Sequence, residues 1–315
     1  MTRRRRTMAQ KGGGTSESSG DNSTTRKKTV KAQCAPKPKD ANGNDKLNEL
    51  TCYSKPSLIK MRDLWNVRHK DNKIVTNDPK EIWNKLNAAM SSACEAESCW
   101  LSQEFIKHDL DSELLNYTFA PKSPPKWKTD HTTWLNSLDI EKVMKQYEHS
   151  YPDFRFIGPT PIDFDKHTSG NTCVWDDLCN FDLAKYRDKG VNKIGIIFNT
   201  DPHNKGGSHW IAMFINIQAG FIFYFDSNGY AEKREIKKFV ERIMTQTKTM
   251  TPPVKLEFMN NAPLRHQEGN TECGMYSLFF IISLLKETKP YTFFQKTKIT
   301  DKDMEHLRDV YFNST

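Results

Sequence analysis

The stretch His266-Gln267-Glu268-Gly269-Asn270-Thr271-Glu272-Cys273-Gly274 constrains this chain more than any other. It is a polar, glycine-bearing loop that ends in a cysteine. The cysteine opens a run that is apolar almost all round: Met275, Leu278, Phe279, Phe280, Ile281, Ile282, Leu284 and Leu285. A helix without a polar face must be buried. Its first turn has to lie where the loop leaves it, so Cys273 is expected at the N-terminus of a core helix. There the helix dipole and the unpaired backbone N–H groups favour a thiolate. A thiolate so placed is a nucleophile that still needs a base, an orienter for the base and a donor for the oxyanion.

A hairpin farther up the chain supplies them. His209–Ile217 and Phe221–Phe225 read as strands joined at Gln218-Ala219-Gly220. His209 opens the first and Asp226 follows the second, with the turn midway between them. Such residues share one end of an antiparallel pair, within two or three residues of register. Histidine works as a base near neutral pH. An aspartate on Nδ1–H would set its tautomer and leave Nε2 facing the thiol. Gln267, six residues before Cys273, carries an amide able to donate to an oxyanion beside the Cys273 N–H. Either His209 or Asp226 alone reads as an ordinary strand-end residue; the four together suit acyl transfer.

The ordered set His209-Trp210, Asp226-Ser227 and Gln267 ahead of Cys273-Gly274 resembles the SUMO-specific protease superfamily, which also contains adenovirus protease. Trp134-Leu135-Asn136 resembles the tryptophan motif that precedes the histidine there. The resemblance spans about 130 to 290. It implies an α+β, papain-like fold in permuted chain order, a mixed sheet flanked by helices. It assigns Cys273 as nucleophile, His209 as base, Asp226 as orienter and Gln267 as oxyanion donor. It gives Trp134, Trp210 and Gly274 to a narrow substrate tunnel over a Gly-Gly tail; two flat indoles leave a slot that glycines pass. Glu272 stands where the superfamily usually has aspartate. Within it, Ile194–Asp201 followed by Lys205-Gly206-Gly207-Ser208-His209-Trp210 resembles the core-protein proteases of large DNA viruses, such as that of African swine fever virus. That narrower resemblance implies an endopeptidase cleaving structural polyproteins after Gly-Gly during maturation, packaged in the virion. Removal of SUMO-like modifiers from host proteins is the alternative. Acetyl transfer and nucleic-acid binding without catalysis are two further alternatives.

The rest of the chain divides by composition. Residues 1–45 carry eleven basic against four acidic side chains, so seven of the eight net positive charges sit there. With almost no large apolar groups, this stretch is expected to be a disordered basic tail. Such a tail suits nucleic acid, an anionic surface or plain solubility. Residues 46–120 read as a helical N-terminal domain. Leu58, Met61, Leu64 and Trp65 recur at helical spacing; so do Ile82, Trp83, Leu86 and Met90 after Asp78-Pro79. Trp100 to Ile106 suggests a third helix. Prolines 121, 124 and 125 open the expected protease domain, 121–315.

Within it, a helix from about Trp134, a strand over Lys193–Phe198, a helix over Ala231–Thr245, a strand over Val254–Met259 and a last helix capped by Thr300 are expected. The seven cysteines are odd in number and follow no signal peptide, which points to free thiols in a reducing setting, here the host cytoplasm or the particle. Cys94/Cys99 and Cys173/Cys179 have loose spacings and no clear histidine partners, so neither a metal nor any other cofactor is expected. No apolar run approaches the roughly 18 residues of a membrane span.

Overall fold

The computed structural model describes residues 32–37, 50–106, 112–168, 170 and 172–313. Most of the expected basic tail lies outside the described residues. The part inside them, 32–37, does not fit the expectation of an unfolded tail. Ala32 and Ala35 are buried, and the Ala35 N–H donates to the Thr118 carbonyl at 3.0 Å. Asn313 near the other end of the chain donates to the Gln33 and Ala120 carbonyls at 2.9 and 2.8 Å.

The N-terminal helices are α1 (Lys55–Arg68), α2 (Pro79–Met90) and α3 (Ser112–Tyr117). Ser54 and Asp78 cap the first two, each followed by proline in the first turn, where a missing N–H costs nothing. The expected third helix at Trp100 is instead a short 3-10 segment, Glu97–Ser102. Two of the three tryptophans sit in the core, Trp65 and Trp100 buried with Leu58, Met61, Ile82 and Leu86, and Trp83 packs half-buried against it.

The rest of the chain continues with α4 (Ser137–Ser150), capped reciprocally by Asn136 and Asp139. A five-stranded sheet follows in the order β1 (Phe154–Pro161), β2 (Lys193–Asn199), β3 (Trp210–Asn216), β4 (Phe221–Phe225), β5 (Glu257–Asn260). The β2–β3 and β3–β4 pairs are antiparallel, and both outer pairs are parallel. Short helices α5 (Asp176–Cys179) and α6 (Leu183–Asp188) lie between β1 and β2. Then α7 (Arg234–Thr249) precedes β5, and α8 (Cys273–Leu285), α9 (Tyr291–Lys296) and α10 (Asp301–Tyr311) close the chain. This is the α+β, mixed-sheet architecture expected.

Both faces of the sheet are covered, so its central strands are apolar without alternation. Ala212 and Phe214 of β3 face a core with Tyr276, Phe280 and Ile281 of α8. Ile211, Met213 and Ile215 face the opposite core with Ile236, Phe239 and Ile243 of α7. Gly195 fits in β2 because a β-carbon there would lie 2.8 Å from Ile281 Cγ2. No described helix is long and apolar enough to cross a membrane.

The cysteines depart from the expectation of free thiols. Cys34–Cys52, Cys94–Cys99 and Cys173–Cys179 are disulfide-bonded, and Cys273 is free and buried. The partners meet through turns and packing that their spacing does not announce.

Candidate active site

Cys273 is the first residue of α8. No side chain caps the helix at Glu272, so its first backbone N–H groups stay available to an anion at the sulfur. Gly274 follows because the helix end is crowded. A β-carbon there would meet Leu135 Cβ at 3.1 Å and Trp210 Cδ1 at 3.4 Å.

His209 lies one residue before β3 and Asp226 one residue after β4. The register Ala212↔Phe225 brings both to the same edge of the sheet, as the hairpin reading requires. His209 Nε2 is 2.8 Å from Asp226 Oδ1. The expected tautomer is therefore reversed. Nε2 faces the carboxylate, with Asn228 Nδ2 3.3 Å from the same nitrogen, which leaves Nδ1 as the ring nitrogen open to Cys273, whose interaction helps raise the His209 pKa. Which nitrogen meets the carboxylate follows from the side-chain torsions of His209, which sequence spacing does not carry. Burial alone would push the imidazole pKa down. The hydrogen bonds to Asp226 and Cys273, with the charge on each, outweigh it and raise the value to about 9.

Asp226 is itself held from three sides. Its Oδ1 also accepts the Asn228 N–H at 2.8 Å. Its backbone N–H donates to Asn261 Oδ1 at 2.9 Å, and Asn261 Nδ2 returns a bond to its carbonyl at 2.8 Å. Neither asparagine stood out in the sequence, although Asp226-Ser227-Asn228-Gly229 is turn-forming in composition.

Gln267 is buried next to this turn. Ser227 Oγ donates to Gln267 Oε1 at 2.8 Å, which fixes Nε2 as the donor end. Nε2 gives one hydrogen to the Gly269 carbonyl at 3.1 Å; a carboxamide nitrogen carries a second. His266, its neighbour, is fully buried. Its Nε2 is 3.1 Å from the Phe294 carbonyl, and the Ile299 N–H donates to Nδ1 at 3.3 Å. Burial, opposed by the Phe294 bond and aided by Lys298, drops its pKa to about 4. It is a neutral tie beneath the loop, not a surface residue.

The loop is clamped by α10 from both sides. Asp301 accepts the Gly269 and Glu268 N–H groups at 2.7 and 3.2 Å, and the Tyr276 hydroxyl at 3.0 Å. Arg308, fully buried, donates to both carboxylate oxygens of Glu272 at 3.0 and 2.6 Å. It also donates to the Thr133 carbonyl at 3.0 Å and lies 4.5 Å over the Trp127 ring. Sequence reading missed Arg308 altogether. The carboxylate before Cys273 thus ties the start of α8 to the segment that leads into Trp134.

Trp210 Nε1 donates to the Leu135 carbonyl at 3.0 Å. Trp134, the next residue back, keeps 38% of its surface exposed. The two tryptophans are therefore joined through Leu135 at the edge of Gly274.

Residues 185–314 match the Ulp1 protease family, C-terminal catalytic domain; the match takes in His209, Asp226, Gln267 and Cys273 but not Trp134. The chain is 28% identical over 301 residues to a thiol protease of Acanthamoeba polyphaga mimivirus, which spans 89% of this chain and 93% of that one. It is 27% identical over 262 residues to the SUMO-1 cysteine protease of African swine fever virus, spanning 78% of this chain and 93% of that one. The crystal structure of the African swine fever virus protease aligns with a TM-score of 0.63 at 23% identity, covering 90% of this chain and 96% of that one, so the two share a fold. Residues 185–314 carry a catalytic domain of the Ulp1 protease family, and the chain is a cysteine protease.

Proposed function

We propose that the chain is an endopeptidase that cleaves after Gly-Gly in viral structural polyproteins, within a maturing particle. The observation that carries the reading is His209, bonded to Asp226 at 2.8 Å and hydrogen-bonded to a cysteine that opens a buried helix. In this reading Cys273 Sγ, as thiolate, attacks the substrate carbonyl carbon. The oxyanion takes the Cys273 N–H and the second hydrogen of Gln267 Nε2. His209, protonated at Nδ1, gives that proton to the departing amine, and an acyl-enzyme remains. Water then attacks, losing its proton to Nδ1, and the thiolate leaves. Asp226 holds the ring and supports its positive charge throughout.

The glycine preference rests on the narrowness of the approach. Trp210 is pinned to Leu135, and a β-carbon at Gly274 would be tight against Leu135 Cβ at 3.1 Å. A substrate strand passing there suits residues without β-carbons. The particle setting rests on the viral relatives, and residues 46–120 and 121–315 are read as helical and catalytic units. The basic tail is assigned no part in the chemistry.

The test is cleavage of a Gly-Gly-X peptide by the full chain and by Cys273→Ala. Loss of all cleavage in the variant, with an unchanged circular-dichroism spectrum, is the expected result; retained cleavage refutes the nucleophile. The family also supports a second reading, removal of a ubiquitin-like modifier. A SUMO conjugate cleaved far faster than a viral-type Gly-Gly-X peptide would move the assignment there.

A further inference from the structure

His167, Cys173 and Cys179 take no part in the peptidase chemistry, yet the fold gathers them into one knuckle. His167 and Cys173 are bridge partners in a small hairpin. The Thr168 N–H donates to the Thr172 carbonyl and the Val174 N–H to the Lys166 carbonyl, both at 2.9 Å. Paired positions put both side chains on one face. The chain then folds back, with the Trp175 N–H on the Phe164 carbonyl at 3.1 Å and the Cys179 N–H on the Trp175 carbonyl at 3.0 Å. That return brings Cys179, the last residue of α5, to the same place. One imidazole nitrogen and two sulfurs lie within 4.8 Å of one another.

The separation of His167 Nε2 from Cys173 Sγ is 3.6 Å. A nitrogen about 2.05 Å and a sulfur about 2.3 Å from a common tetrahedral centre lie about 3.6 Å apart, which is zinc geometry. Soft thiolates with an imidazole select zinc over the hard, oxygen-seeking cations.

We propose that these three side chains form a zinc site in the reduced protein, and that the two cysteines alternate between that site and the Cys173–Cys179 disulfide. A dithiol or phosphine reductant supplies two electrons, and with two protons the S–S bond becomes two thiols while the reductant is oxidised. Zinc then binds both sulfurs as thiolates and releases those two protons to solvent. His167 adds its neutral Nε2. Its ring is exposed, so the fourth position faces solvent and takes water. Either link closes the same loop, and that loop matters to the cleft. Val174 and Trp175, inside it, line a groove with Asn199, Asp201 and Trp210, next to His209. The knuckle therefore fixes one wall of a groove that shares Trp210 with the active site.

The test uses the full chain carrying Cys273→Ala, which removes the competing thiol. It is reduced with a phosphine, mixed with zinc chloride and gel-filtered. Metal per chain is then measured by elemental mass spectrometry, and affinity by competition with a chromophoric chelator. One tightly held zinc is expected in the reduced chain and none in the oxidised one. His167→Ala should weaken binding by at least the ~10–100-fold that loss of an outer partner costs, and Cys173→Ser should do the same. His167 is exposed, so its replacement leaves the fold and the disulfide intact, which circular dichroism and peptide mapping verify. A reduced chain that retains no zinc overturns the proposal. So does zinc held by both variants as tightly as by the parent reduced chain, because it is then bound elsewhere.

Discussion

Two histidines, His209 half-buried and His266 fully buried, flank the loop that delivers Cys273, and their environments drive them in opposite directions. His209 meets a carboxylate through Nε2 and interacts with the Cys273 thiol. His266 meets a carbonyl and a backbone amide. Burial disfavours the charged form of both. At His209 two partners able to carry negative charge overturn that penalty, and the ring holds its proton up to about pH 9. At His266 no such partner exists among its hydrogen bonds, and the ring stays neutral down to about pH 4. His266 adjoins Gln267 in sequence and lies in the most chemically suggestive stretch of the chain. Adjacency to a site gives a residue no role in it; the charge of its hydrogen-bond partners does.

The contrast can be broken most decisively at His209. His209→Ala should lower kcat/KM of the folded fraction by roughly 10⁴- to 10⁶-fold, the range for loss of the base in a catalytic triad. A fall of less than about tenfold would remove the distinction. Next in size is the buried charge pair Arg308–Glu272 beside Cys273. Arg308→Ala leaves Glu272 charged and unpaired in the core, which should cost about 3–5 kcal/mol of stability by urea unfolding. If the loss is small, α10 does not clamp the loop. Smaller again, His266→Gln should cost about 1–3 kcal/mol, the range for buried hydrogen-bonding groups left unsatisfied. Its folded fraction should keep the parent kcat/KM; a large drop would place His266 in the chemistry after all.

The smallest effect is in pH, and its sign separates the two rings. His266 has a folded pKa of about 4 against 6.5 unexposed to such surroundings, so the unfolded chain binds more protons between those values. Stability should therefore fall as pH drops from about 6.5 towards 4, and less steeply in His266→Gln. His209 has a raised folded value, so its contribution is full below about 6.5 and is lost as pH rises through about 9. The same deprotonation removes the acid for the leaving amine, and kcat/KM should decline above about pH 9. Urea midpoints and rates measured across that range check both signs.

Much of the architecture could be read beforehand where one local pattern had one physical outcome. The all-round apolar run after Cys273 had to be a core helix, and the unbroken apolar strands at Ile211 and Phe221 had to lie between two covered faces. Strand β1 escaped because Gly158, Pro159 and Pro161 read as turn residues. The ladder to β2 shifts register between Ile157 and Thr160, and an irregularity on an outer strand absorbs what a central strand could not. The third N-terminal helix shrank to a 3-10 segment in which Trp100 is nonetheless buried. Asn228, Asn261 and Arg308 were invisible for a different reason. Each acts through a hydrogen bond to a residue far away or to main chain, and neither kind of contact leaves a periodic trace.

By itself the sequence determined which residue types were on hand for acyl transfer and which helix would carry the sulfur, because apolar periodicity and hairpin symmetry are local rules. Only the tertiary structure decided which imidazole nitrogen meets Asp226, which cysteines meet each other, and that His167 stands beside two of them. Those outcomes depend on the directions of side chains brought together across the fold, and direction in space is set by packing.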